Sequence, residues 1–299
     1  MNLKMEKIFG RFLSEEFRER LERIIIGIAI VSFLIHLLVI FLVSQDVIHF
    51  TSKLTKSPIS AIYTPFSFIL IYEVFLLVFY LPRSISSYIG KQYEIITLIV
   101  IRRIFKDIGN IEMSTNWFKL ENDLQFTFDV LTTLILFFLI HLFYKNVAKP
   151  SAEDTIRILN EKNRISKFIK LKKNIAMVLI PALVLLAFYS FTSWMVISIQ
   201  DHWAHITTFK NINNIFFEDF FMLLIVIDVI LLLFSFFYSD SFHKIIRNSG
   251  FIISTILIKL SFSVEGVVNN ALILGAVFFG FLILLIHNLY TKQKSTSDS

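Results

Sequence analysis

Cysteine is absent from the 299 residues, and glycine (8), proline (5) and tryptophan (3) are scarce. Without a thiol there is no disulfide framework, no thiolate metal site and no cysteine nucleophile. Pro65 and Pro181 are the only prolines inside apolar stretches, so the broken helices with which many transporters bind solutes have no basis in this sequence. Charge is thin as well: 17% of residues are Asp, Glu, Lys or Arg, against about a quarter in an ordinary soluble domain. The chain also lacks HExxH, GxSxG and any Gly-rich phosphate loop. An enzyme is therefore the least expected class, and no cofactor or metal is expected.

What fills the chain is hydrocarbon: 56% hydrophobic residues, 34 of all residues being Phe, with a mean hydropathy of +0.71. A membrane helix needs about 20 mainly apolar residues to cross a core about 30 Å thick. Six stretches pass plainly: Ile24 to Ser44, Ala61 to Leu81, Leu124 to Tyr144, Ile175 to Ile197, Phe216 to Tyr238 and Val267 to Tyr290. Two more, Lys91 to Ile108 and Phe251 to Ser263, are shorter or carry charge. In residues 1–23, Phe9, Phe12, Leu13, Phe17 and Leu21 recur at helical spacing among glutamates, which predicts an amphipathic cytosolic helix lying on the membrane surface.

An internal repeat fixes the count. Sliding the second half by 155 positions sets Gln45-Asp46 on Gln200-Asp201 and Glu73 on Asp228. Two residues of further slip align Glu94–Phe105 with Phe251–Phe262 and set Arg102 on Lys259; LIHLFY (139–144) then matches LIHNLY (285–290). Polar landmarks recurring in one order point to duplication. The expected fold is an all-α integral membrane protein with eight transmembrane helices in two four-helix repeats. The repeats span residues 24–144 and 175–290, joined by a basic cytosolic linker (145–174) and followed by a disordered tail (291–299). Short cytoplasmic loops concentrate Lys and Arg. With both termini cytoplasmic, 21 of the 29 basic residues fall inside and only Lys53, Lys56, Lys119 and Lys210 outside. Trp117, Trp194 and Trp203 then sit at the outer interface, where tryptophans anchor. An even number of helices per repeat makes the repeats parallel.

The landmarks Gln45, Asp46 and His49, then Tyr72-Glu73, then Ile101-Arg102 resemble those of the four-span phosphate-starvation-inducible protein E (PsiE-like) family. The second half keeps Gln200, Asp201, Asp228 and Lys259, with Asp for Glu, Lys for Arg and Ala204 in place of His49. The resemblance implies a tandem duplication of that membrane unit and a bacterial cytoplasmic (inner) membrane setting. It implies a fold more than a function.

Ionisable groups inside a span cost about 2.5–3.5 kcal/mol each at the helix centre, and they face the bundle interior and find partners. Glu73 with Arg102, and Asp228 with Lys259, are the expected ion pairs. They either line and gate a polar path or fix helix register. Arg103 and Asp129 have no charged counterpart in the second half, where Leu260 and Gly275 stand, and are the candidates for a function peculiar to this chain. Outside the membrane, Asp201, His202 and His205 have a spacing that could hold zinc, though a Trp-rich interfacial turn explains the same residues. His141 and His287 fall at inner helix ends, where a polar tip reaching the headgroups is expected.

The linker carries Lys162, Arg164, Lys167, Lys170, Lys172 and Lys173. Anionic lipid attracts such a run at about 1 kcal/mol per basic residue; an anionic ligand such as a nucleotide or oligonucleotide is the sharper reading. The expected function is an oligomeric ion channel or pore, an effector opened by a cytosolic anionic signal, with antiviral defence as one setting. A transporter, for which the family resemblance implies a link to phosphate, and a non-conducting membrane scaffold are the alternatives.

Overall fold

The computed structural model describes residues 12–47, 61–108, 121–147, 162–200, 209–238, 242–264 and 266–297. Among them the regular structure is all helix, without a strand: α1 (Glu15–Ser44), α2 (Tyr63–Tyr80), α3 (Ile85–Ile108), α4 (Glu121–Asn146), α5 (Lys162–Gln200), α6 (Phe209–Tyr238), α7 (Phe242–Ser261) and α8 (Gly266–Ser297). Four of these, α1, α4, α6 and α8, are long and apolar enough to cross a membrane, and α2 adds a shorter apolar helix, Thr64–Tyr80. Leu34, Leu38 and Phe41 on α1, Phe137 and Phe138 on α4 and Phe237 on α6 are exposed. Apolar surface turned outward on this scale suits a hydrocarbon solvent, not water.

Local chemistry sets the helix ends. Ser14 caps α1 by accepting from the Phe17 N–H at 3.2 Å, and Glu15 and Glu16 occupy its positive first turn. At the other end the Val47 N–H returns to the Leu42 carbonyl and the Asp46 N–H to that of Val43, each at 3.1 Å, with Asp46 at φ 54°. That is a Schellman stop, and Asp is among the few residues that take the left-handed conformation without much penalty. The Gln45-Asp46 landmark is thus a helix terminator. Of its second copy, Gln200 is the last described residue of α5, and Asp201 lies outside the described residues. Pro65 lies in the first turn of α2, where a missing N–H costs nothing.

Several expected boundaries move. Residues 15–23 do not form a separate surface helix but open α1, because no Gly or Pro separates them from Ile24, and Arg18 pairs with Glu15 and Glu22 along the same helix. The expected disordered tail is likewise the end of α8, which runs to Ser297 with Thr291 donating to the His287 carbonyl at 2.8 Å. The two short spans lengthen toward their N-termini, to Ile85 and Phe242. From Lys162 onward the linker is the start of α5, a helix of 39 residues that carries Pro181 inside it.

Consecutive helices pack within each half: α1 on α2, α2 on α3, α3 on α4, and then α5 on α6, α6 on α7, α7 on α8. The halves meet where α4 packs on α8, α3 on α7 and α2 on α5. The core between them holds Tyr93, Phe143 and Phe251, with Tyr93 and Phe143 edge to face at 5.2 Å. The close approach requires Gly280, since a Cβ there would overlap the Tyr93 hydroxyl. That hydroxyl bonds Ser254 Oγ at 2.8 Å, and Ser254 donates in turn to the Ala276 carbonyl.

Candidate functional site

Two buried ionic clusters lie in this interior, and each draws on both halves of the chain. In the first, Asp228 of α6, 1% exposed, accepts from Lys259 Nζ of α7 at 2.7 Å. Two further donors surround it, the Tyr88 hydroxyl at 2.9 Å and Gln92 Nε2 at 3.4 Å, and Thr255 Oγ1 lies 3.4 Å away with its one proton closer to the Ile252 carbonyl, at 2.9 Å. Tyr88 and Gln92 stand one turn apart on α3, and Thr255 and Lys259 one turn apart on α7, so each helix presents two polar side chains on one face. A small cavity of about 10 Å³, walled by Leu77, Ile96, Phe221 and Leu224 among others, opens onto Gln92 and Lys259. Its volume is that of a single water.

In the second cluster Arg103 of α3 grips Asp129 of α4 in a two-pronged pair, Nε to Oδ2 at 2.5 Å and Nη2 to Oδ1 at 2.8 Å. Its remaining donors reach α8, Nη1 to Asn269 Oδ1 at 2.7 Å and Nη2 to Asn270 Oδ1. Gln125 and Asn270 each donate a side-chain amide to Asp129 Oδ1, at 2.7 and 2.6 Å, and Asn269 donates to the Ser261 carbonyl. A guanidinium fork matched to a carboxylate fixes geometry as well as charge. Arg103 and Asp129, singled out separately from the sequence, are therefore one site.

The expected contact between Glu73 and Arg102 does not close. The charge of Arg102 acts on Glu73, but no ion pair or hydrogen bond joins them. Arg102 and Arg103 leave α3 about 100° apart, so one arginine faces α4 and α8 while the other is turned away from that cluster. Glu73 itself is 5% exposed, and its neighbour Tyr72 is engaged elsewhere, donating to Glu22 of α1 at 2.7 Å.

On α5 the basic run divides by helical phase. Lys167, Lys170 and Lys173 are exposed, three residues apart on one face. Lys172 departs from the expected ligand surface: it continues the stripe of Phe168, Ala176 and Leu179 that packs inward, and its Nζ donates to the Arg83 carbonyl at 3.1 Å and lies 5.2 Å over the Phe168 ring. Burial pushes its ammonium down to about 8, with the charge of Asp228 partly opposing. Lys162 and Arg164 are on the same helix, and their side chains lie outside the description.

Trp117, Asp201, His202, Trp203 and His205 also lie outside the described residues. His141 is exposed, but His287 is buried against His243, their rings 5.3 Å apart, so it does not reach toward headgroups as expected. Arg247 Nη1 meets its Nε2 at 3.2 Å; an arginine can only donate, which places the imidazole proton on Nδ1. The amides Gln92, Gln125, Asn269 and Asn270 and the hydroxyls of Tyr88 and Thr255 were not legible as site residues. The adjacent amides Asn269-Asn270 opening an apolar helix were the one signal available. No family model matches the chain, and neither a curated protein nor a solved structure matches it.

Proposed function

We propose that this chain is a multi-pass, ion-conducting membrane protein that works as a homo-oligomer, with both termini cytoplasmic and the two halves as parallel repeats. The single observation behind this reading is that two ionic clusters, built on the buried acids Asp228 and Asp129, sit among helices of which four are long and apolar enough to cross a membrane. Each buried charge carries an insertion cost, and apolar packing such as that of Tyr93 against Gly280 already sets helix register without it. The clusters Asp228–Lys259 and Arg103–Asp129 therefore serve ions or gating, as buried charges in channels do. The repeat reading is supported by the same order of helix contacts in each half and by like helices meeting across it, α3 with α7 and α4 with α8. The PsiE-like resemblance supports a bacterial cytoplasmic membrane as the setting. Lys167, Lys170 and Lys173 are the surface for anionic lipid or an anionic cytosolic ligand such as an oligonucleotide.

Reconstitution in liposomes tests this. Stepwise single-channel currents that change in conductance or open time in Lys259→Met and Arg103→Met support it. Saturable solute uptake without current steps, or a strict monomer in detergent and in lipid, overturns it in favour of a transporter.

A further inference from the structure

We propose that Glu73 is the residue at which this protein takes up and releases a proton. The case rests on a comparison of three buried acids. Asp228 has an ammonium and the donors of Tyr88 and Gln92 around it, and Asp129 has a guanidinium and two amides. Glu73 is also buried, 5% exposed against 1% and 0% for the two aspartates, yet makes no hydrogen bond and no ion pair with any described residue. A carboxylate withdrawn from water without partners costs far more than the neutral carboxylic acid does. The two fixed pairs hold their charge; Glu73 is built to change its own.

The sequence explains why the two repeat-related acids differ. The register that sets Glu94 on Phe251 and Arg102 on Lys259 also sets Tyr88 on Ile245, Gln92 on Ser249 and Thr255 on Leu98. The polar side chains around Asp228 thus have apolar or shorter counterparts where Glu73 would need them. Only the base is retained, as Arg102, whose charge reaches Glu73 without contact.

Several charged and titratable groups on the helices packed against α2 are held by other partners, while Lys167, Lys170 and Lys173 of α5 are exposed. On α1, Glu22 accepts from Tyr72 and His36 bonds Thr64. On α3, Lys91 pairs with Glu94, Tyr88 is taken by Asp228 and Arg103 by Asp129. On α5, Lys172 donates to the Arg83 carbonyl. A proton is the ligand that fits. A metal cation wants six or so oxygen ligands, whereas Glu73 is a lone carboxyl under the field of a guanidinium. The water-sized cavity begins one turn away, at Leu77, and has room for a single water.

Dicyclohexylcarbodiimide tests this on the full chain in detergent or liposomes, because it reacts with buried carboxyls only when they carry a proton. The acid O–H adds across one C=N bond, and the O-acylisourea rearranges to a stable N-acylurea. The peptide gains one reagent mass and nothing leaves. The expected result is an adduct on Glu73, absent from the Asp129 and Asp228 peptides, weakening as pH rises and lost in Glu73→Gln. Glu73→Asp keeps the carboxyl and restores labelling. An adduct on Asp129 or Asp228 instead, an adduct indifferent to pH, or no adduct on the wild-type chain overturns the proposal. The readout needs no ion flux, so labelling without current removes the pore and keeps the proton site, and current without labelling does the reverse.

Discussion

Lys259→Met leaves Asp228 buried with neutral donors alone, and Asp228→Leu leaves the Lys259 ammonium with no partner among the described residues. At 2.7 Å and an effective dielectric near 20, the gross attraction is about 6 kcal/mol. Desolvation of both groups offsets most of it, so the pair adds little net stability, but removing one partner costs about 3–5 kcal/mol. Asp228 keeps the Tyr88 and Gln92 donors, which places Lys259→Met at the lower end of that range and Asp228→Leu at the upper. The double variant Asp228→Leu/Lys259→Met buries no charge and returns to within about 1 kcal/mol of wild type. Thermal unfolding in detergent measures the cycle. With a few degrees per kcal/mol for a chain of this size, the singles fall by on the order of 10 °C and the double recovers most of it. Single variants that melt with wild type, or a double variant that melts at the sum of the two losses, would refute the buried pairing of Asp228 with Lys259.

Gly280→Ala drives a methyl into the Tyr93 hydroxyl and costs about 1–3 kcal/mol by overpacking; Tyr93→Phe in the same chain recovers part of the melting temperature, and no recovery would dismiss that contact. Lys172 binds its proton less tightly folded, at about 8, than its ordinary 10.5. Between those values the unfolded chain holds more protons, so this residue makes stability rise with pH from about 8 to 10.5, the penalty being full below 8. Lys172→Met should flatten that rise in a pH series of melting temperatures, whereas an unchanged slope contradicts the burial of the ammonium. Replacing Lys167, Lys170 and Lys173 with Ala should weaken binding of a fluorescent single-stranded oligonucleotide and lower its salt slope by about 0.7 per lysine engaged, and equal slopes in variant and wild type would take these lysines out of the ligand surface.

Much of the helical layout was legible because burial in lipid leaves the backbone one solution. An apolar run of span length must satisfy its own hydrogen bonds, and a helix does so. The same logic made Asp228 and Lys259 readable as partners. Boundaries were less legible: residues 15–23 and 291–297 are polar, and only their continuity with an uninterrupted helix makes them helical. The amides were invisible for a related reason, since Asn269 or Gln92 becomes a site residue only when a charge is brought to it from another helix.

By itself the sequence determined the class of the molecule: an all-helical chain whose apolar runs can cross a membrane, with a few charges left inside. Its composition supplies a large apolar surface to bury and no thiol. The tertiary structure decided which charge meets which. Arg102 and Arg103 are neighbours in the chain, but 100° of helical rotation turns one into a fork holding Asp129 and leaves the other acting on Glu73 only through its field. Likewise Lys172 and Lys173 read alike in sequence, and helical phase sends one into the core and the other into solvent. Spacing along a chain fixes which residues share a face, but which face is buried depends on the neighbour it packs against.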